Sequence, residues 1–310
     1  MRTTTFEFTS LDGARLAAII WEPDGIAHGV LQVTHGMTEH MNRYERFASE
    51  LCNHGIAVAG FDLRGHGKNA GNPDVASCGE GGWEASIEDM KLFFNLLREQ
   101  FPTVPHYMLG FSLGSFLLRE YLSKYSEDVA GAIIAGTGHQ PTWLLSILMN
   151  IVKWQIKKVG FDNSTELVRK LSFGTYNQKF SPNRTNVDWL CSDTSELDKY
   201  LADPLVRRDI SSGLFYELLS SMKRTASSSV YNSWMKEMPI LLLYGEHDPV
   251  GDFGKGVKQV YRHMKNAAFS DVNMLTLALS RHDIFHEECS GTAQVVRDNI
   301  RNWIQFNTLK

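Results

Sequence analysis

The stretch GFSLG places Ser112 between Gly110 and Gly114, the G-x-S-x-G spacing of a nucleophile elbow. A serine hydroxyl is a poor nucleophile at neutral pH, so attack on a carbonyl needs a histidine base and an acid to orient it. Two later stretches supply these in the order that accompanies such an elbow, acid before base. LLLYGEHDPVGD carries Asp248 and LTLALSRHD carries His282. Asp252 competes as the acid, but its place further into the loop or at a helix start suits an N-cap. His286 competes as the base from one helical turn after His282, where packing or capping is the plainer role. The developing oxyanion needs two preset N–H donors. One falls to Leu113, directly after the nucleophile. The other falls to Met37, in the HGMTEH loop that follows VLQVTHG.

Chance alone yields the glycine-serine pattern in roughly one chain in ten of this length, so its context must decide. HYMLG reads as a strand and LGSFLLREYL as a helix, which puts Ser112 on a strand-to-helix turn. Larger residues at Gly110 and Gly114 would clash there with neighbouring backbone. The start of a helix also favours negative charge through its free N–H groups and dipole. Asp248 follows one apolar strand and His282 follows another. The three side chains thus converge on the edge formed by the C-terminal ends of parallel strands, where open α/β sheets place their ligands.

The elements needed to hold them are legible elsewhere. TTTFEFTS and ARLAAIIWEP read as strands separated by an LDG turn. GVLQVTHG and IAVAGFDLRGHG are apolar runs ending in glycine, separated by the helical pattern NRYERFASELCNHG with Gly55 as a C-cap. ASIEDMKLFFNLLREQF is a helix and VAGAIIAGTG a buried strand. Strands alternating with helices imply an α/β fold, a mostly parallel sheet with helices on both faces. From about His139 to Met235 the pattern turns helical and polar with no clear strand, and alternation resumes at PILLLYG. That interruption is too long for a connecting loop. We expect core segments at 1–138 and 236–310 with a helical cap inserted at 139–235.

At 310 residues the chain is long enough to bury a large core, and its 31 basic against 35 acidic residues give a net charge of −4. No Lys/Arg-rich run supports nucleic-acid binding. No Gly-rich phosphate loop with Lys-Ser/Thr supports nucleotide use. We expect no cofactor and no metal. The start MRTTTFEFTS lacks a basic region followed by an apolar run, and WLLSILMNIV is too short to span a bilayer. Cys52, Cys78, Cys191 and Cys289 form no C-x-x-C pair. The expectation is therefore four reduced thiols in a cytoplasmic protein.

HGMTEH, FDLRGHG, GFSLGS, GEHDPVGDFGKGV and SRHDIFHEE, in that order, resemble the monoacylglycerol lipase and lysophospholipase branch of the α/β-hydrolase superfamily, often labelled serine aminopeptidase-like (S33). The resemblance spans nearly the whole chain, and DWLCSDTSELDKYLADPL resembles the caps of bacterial members. It implies an α/β-hydrolase fold, Ser112 as nucleophile, Asp248 as acid, His282 as base, and the amides of Met37 and Leu113 as oxyanion hole. It also implies acyl glycerols or lysophospholipids as substrates. The family commonly has His before the serine and Met after it, where this chain has Phe111 and Leu113. After RGHG the family usually has Lys-Ser, where this chain has Lys68–Asn69.

TWLLSILMNIVKWQIKKVG is apolar along one side and basic at its end, as suits a cap helix over an acyl pocket, one in transient contact with a membrane surface, or one packed wholly on the core. Phe111 and Trp143 are the candidates for touching substrate. The rival chemistries are a proline iminopeptidase-like peptidase, for which Glu166, Asp188, Asp193, Glu196 and Asp198 would hold a substrate amine, and a thioesterase. A non-catalytic binding protein would show a broken triad. HDIFH sets His282 and His286 at zinc-like i, i+4 spacing, but Asp283 stands where a glutamate base belongs and no third ligand follows.

Overall fold

The computed structural model describes residues 1–309; Lys310, the last residue of the expected second core segment, lies outside them. The strands are β1 (Arg2–Thr9), β2 (Arg15–Glu22), β3 (Gly29–Thr34), β4 (Ile56–Phe61), β5 (Val75–Ala76), β6 (His106–Phe111), β7 (Gly131–Ala135), β8 (Asp209–Ile210), β9 (Ile240–Gly245) and β10 (Val272–Leu277). The helices are α1 (Glu45–Cys52), α2 (Gly82–Gln100), α3 (Leu113–Tyr125), α4 (Thr142–Val159), α5 (Glu166–Phe173), α6 (Thr194–Ala202), α7 (Ser212–Arg224), α8 (Lys255–Asn266) and α9 (Thr292–Thr308).

Among these residues eight strands form one sheet in the order β1-β2-β4-β3-β6-β7-β9-β10. β1 pairs antiparallel with β2 and β2 antiparallel with β4, while the pairs from β4 to β10 are parallel. The inner strands β3, β4, β6, β7 and β9 are buried at every position, so they read as unbroken apolar runs rather than alternating ones. Each face then finds its own helices. Met108 and Ile134 point into a core with Phe93 and Phe94 of α2, Leu118 of α3 and Val260 of α8. Tyr107, Leu109 and Ile133 point into the opposite core with Phe47 and Leu51 of α1 and Ile300 and Ile304 of α9. The α/β expectation is met, and the sheet is that of an α/β-hydrolase.

β3 leads through α1 to β4 on one side, whereas β6 lies on its other side. The loops leaving β3 and β6 therefore diverge, and the crevice they open is where α/β sheets bind ligands. Between β7 and β9 the chain forms α4 to α7. The sequence suggested no strand there, yet Asp209–Ile210 forms β8 beside β5. Two residues are too few to show as a hydrophobic pattern. Gly55 also sits beyond the end of α1, whose cap is Asn53; with φ +78° it makes the turn into β4.

Candidate active site

The turn at Ser112 is built as its glycines require. Ser112 holds φ +51°, a left-handed conformation that costs a residue with a side chain. It is fixed there by its N–H bond to Ala135 O at 3.0 Å and by Ser115 N–H and Oγ, which both donate to Ser112 O. A Cβ on Gly110 would lie 2.3 Å from Gly114 O, and one on Gly114 would lie 2.1 Å from Thr34 O. Only glycine lets α3 start this close to β3. The Leu113 amide then opens the helix, with no earlier turn to bond to.

Asp248 and His282 arrive from the ends of β9 and β10. His282 Nε2 lies 2.9 Å from Ser112 Oγ, and its Nδ1 lies 2.9 Å from Asp248 Oδ2. Asp248 is fully buried, and its other oxygen accepts from Val250 N at 2.8 Å. With one carboxylate oxygen on the ring and one on backbone, the imidazole has a single orientation available. Tyr176 faces the same carboxylate; burial first, and then the charge of Asp248, push its hydroxyl above the usual tyrosine range. The two competitors fall elsewhere. Asp252 is half-exposed and pairs with Lys255 at 3.5 Å, while Gly254, not Asp252, caps α8. His286 is turned away: Nδ1 is 2.8 Å from Asp283 Oδ1 and Nε2 is 2.9 Å from Arg43 O. HDIFH is a loop rather than a helix, so the two imidazoles do not converge as metal ligands.

The HGMTEH loop is held from several sides. His35 Nδ1 donates to Gly36 O at 2.7 Å, and its Nε2 accepts Leu63 N–H at 2.9 Å. Burial holds His35 below the ordinary histidine value, which keeps that tautomer neutral. Gly36 N donates to Glu39 Oε1 at 2.6 Å, and Arg207 N donates to Thr38 O at 2.8 Å. The N–H of Met37, between these fixed neighbours, donates to no protein acceptor among the described residues. Beneath the loop Arg43 bridges Glu39 at 2.5 Å and Asp283 at 2.9 Å. Burial would raise the Asp283 carboxyl, but His286 and Arg43 outweigh it and hold it well below the usual carboxylate range.

Ser112 and His282 open into a cavity of about 700 Å³, within the range of small-molecule sites. Met37, Phe111, Phe173, Val187, Trp189 and Tyr200 are among its lining residues, so it is walled by both the sheet edge and the segment after β7. Phe111, a candidate for substrate contact, is among these lining residues. Trp143 is not: it is 65% exposed on the outer face of α4 and lines no part of the cavity. The reason is the face that α4 buries, through Leu145, Val152 and Gln155 and against α7, which turns Trp143, Ile147 and Trp154 outward. Sequence reading missed Glu39, Arg43, Trp189 and Tyr200; the spacing in EHMNRY is the one local signal, since Glu39 and Arg43 are i, i+4 partners.

A family model described as serine aminopeptidase, S33, matches residues 25–289. The monoacylglycerol lipase of Mycolicibacterium smegmatis is 23% identical over 309 residues, covering 96% of this chain and 95% of its own. The monoglyceride lipase of Rattus norvegicus is 24% identical over 294 residues, covering 94% and 88%. A thermostable carboxyl esterase from Bacillus coagulans, solved in complex with glycerol, superposes with a TM-score of 0.90 at 25% identity over 99% of both chains.

Proposed function

The chain belongs to the serine aminopeptidase S33 family of α/β-hydrolases, and on that premise we propose that it is a serine hydrolase cleaving carboxylic esters, monoacylglycerols or lysophospholipids, through an acyl-Ser112 intermediate. The observation that carries the reading is the unbroken line Ser112 Oγ–His282 Nε2 and His282 Nδ1–Asp248, with 2.9 Å at each step, opening into a cavity lined by both apolar and charged side chains. Ser112 gives its proton to Nε2 as Oγ bonds to the ester carbon, and the carbonyl electron pair moves onto oxygen. The free amides of Met37 and Leu113 stabilise that oxygen, and Asp248 stabilises the imidazolium. His282 then returns the proton to the departing alcohol. Water, deprotonated by the same nitrogen, releases the acid and restores the serine.

The charges around the cavity favour an ester over an aminopeptidase substrate. A substrate amine needs a free carboxylate, and the lining carboxylates are already engaged. Glu39 and Asp283 pair with Arg43, Glu166 with Arg169 and Lys170, and Asp203 with His40. Of the other acidic residues weighed for that role, Asp188 and Asp193 hold backbone N–H groups, and Glu196 and Asp198 pair with Lys199 and Arg184.

We take residues 139–235 as a cap over this cavity and its outer helix as the part that touches lipid. Trp143, Ile147 and Trp154 are 65%, 51% and 56% exposed along one side of α4, and Lys157 and Lys158 end it, as suits brief contact with an anionic interface. No helix among the described residues is long and apolar enough to cross a membrane. We place the protein in the cytoplasm, a reducing compartment that suits its four free thiols, Cys52, Cys78, Cys191 and Cys289.

The test is hydrolysis of p-nitrophenyl esters from acetyl to palmitoyl, of a 1-monoacylglycerol and of an amino-acid p-nitroanilide. Ester cleavage that Ser112→Ala lowers by on the order of 10⁴ or more supports the proposal. Cleavage of the anilide alone makes the protein a peptidase.

A further inference from the structure

Two aromatic rings lie against the His282 imidazole, each tilted to it by about a third of a right angle. Phe111, the last residue of β6, has its centroid 5.0 Å away at 32°, and Trp189 has its centroid 5.3 Å away at 36°. Phe111 belongs to the sheet. Trp189 belongs to the segment between α5 and α6, and is backed by Phe173, stacked at 5.9 Å, and Tyr176 at 4.9 Å.

The segment carrying Trp189 is fastened to the histidine loop itself. His282 N donates to Trp189 O at 3.4 Å and Asp283 N to Leu190 O at 2.6 Å. Arg281 Nη1 donates to the carbonyls of Asp188 and Cys191 at 2.5 and 3.1 Å. In return Glu287 Oε1 accepts from Ser192 N at 2.8 Å, and Asp193 Oδ2 accepts from Cys289 N at 2.9 Å. Trp189 N donates to Asn177 Oδ1 at 2.8 Å. Residues 188–193 and 281–289 therefore move as one piece, and the indole stays against the ring that must become positively charged.

We infer that Trp189 is a positioning residue for His282: its indole face fixes the plane of the imidazole and stabilises the imidazolium formed as Ser112 attacks. This rests on His282 serving as the base of the proposed esterase. An imidazolium in a water-poor site gains from an aromatic face, and tryptophan presents the strongest one. An aliphatic side chain of similar bulk would cover the ring equally well but offer no such face. It follows that this segment stays seated during turnover, and that any opening of the site happens elsewhere along the cavity wall.

The experiment uses p-nitrophenyl acetate, whose short acyl group makes little use of the cavity, with the whole protein. Trp189→Leu should lower kcat about tenfold or more with KM changed by no more than about twofold, and Trp189→Phe should recover most of the loss. Fluorinated tryptophans placed at position 189 weaken the π face at nearly constant shape, so they keep the test valid even if the leucine variant does not fold. The kcat should fall stepwise with each added fluorine. A flat response to fluorination, or equal losses in the leucine and phenylalanine variants, overturns the inference. Ser112→Ala measured in parallel separates the two claims: activity that persists without Ser112 overturns the esterase reading, whereas Ser112-dependent activity with a flat fluorine series overturns only the role of Trp189.

Discussion

At the scale of single residues the site depends on backbone that tolerates no side chain. Gly114→Ala would drive its methyl to 2.1 Å from Thr34 O at the end of a buried strand, so it should destabilise the protein by about 3 kcal/mol or more, read as a lower urea midpoint. A midpoint equal to that of the parent would mean that α3 does not start against β3. Asp248→Asn keeps the shape but removes the charge that accepts the Nδ1 proton. Ester turnover should fall by on the order of 10³ to 10⁴ with little change in the far-UV spectrum. This much was legible because the sequence prints its constraint locally: a serine between two glycines at a strand end, and one acid and one base just past later strands. Trp189 and Tyr200 carried no such mark. Trp189 meets its partner 93 positions away, through contacts that a linear pattern does not register.

At the scale of elements, the loops after β3 and β4 meet through two buried histidines that must stay neutral, His35 and His66. Burial, then the neighbouring His35, lowers His66 to about 3, and burial lowers His35 as well; their rings are 5.5 Å apart. The unfolded chain takes up these protons near pH 6.5 and the folded chain does not. The contribution of His66 is therefore intact above about pH 6.5 and is lost as the pH falls toward 3, and the burial of His35 acts in the same direction. Urea midpoints should drop between pH 7 and pH 5, and a flat profile would show that neither ring resists protonation. A buried cation, Arg119, fastens α3 to the chain on either side of the helices between β7 and β9. Arg119 donates to Gly138 O at 3.2 Å, Thr225 O at 2.8 Å and the Tyr231 hydroxyl at 2.7 Å. Arg119→Met leaves those oxygens unpaired and should cost about 1–3 kcal/mol by urea unfolding. The α/β alternation announced the sheet and its helices well. The two-residue β8 and the outward turn of Trp143 were hidden, because both depend on which face of the insertion meets the core.

At the scale of the whole molecule the sheet edge brings Ser112, Phe111 and His282 to the cavity, and the segment between β7 and β9 brings Phe173, Val187 and Trp189. The cavity lies between them, and the outer face of α4 carries aromatic side chains that the core does not use. If α4 touches lipid, replacing Trp143 and Trp154 together by Ser should slow hydrolysis of a monoacylglycerol dispersed in vesicles several-fold while leaving p-nitrophenyl acetate turnover unchanged. Equal rates on vesicles would leave α4 no interfacial role. The claim from which all of this extends is that Ser112 forms the covalent intermediate. It is tested most directly by reacting the protein with a fluorophosphonate and mapping the adduct by peptide mass spectrometry. The account predicts one adduct per chain on the peptide containing Ser112, loss of ester hydrolysis in step with labelling, slow labelling of His282→Ala and none of Ser112→Ala. An adduct on another residue, or ester hydrolysis that survives full labelling of Ser112, would contradict it.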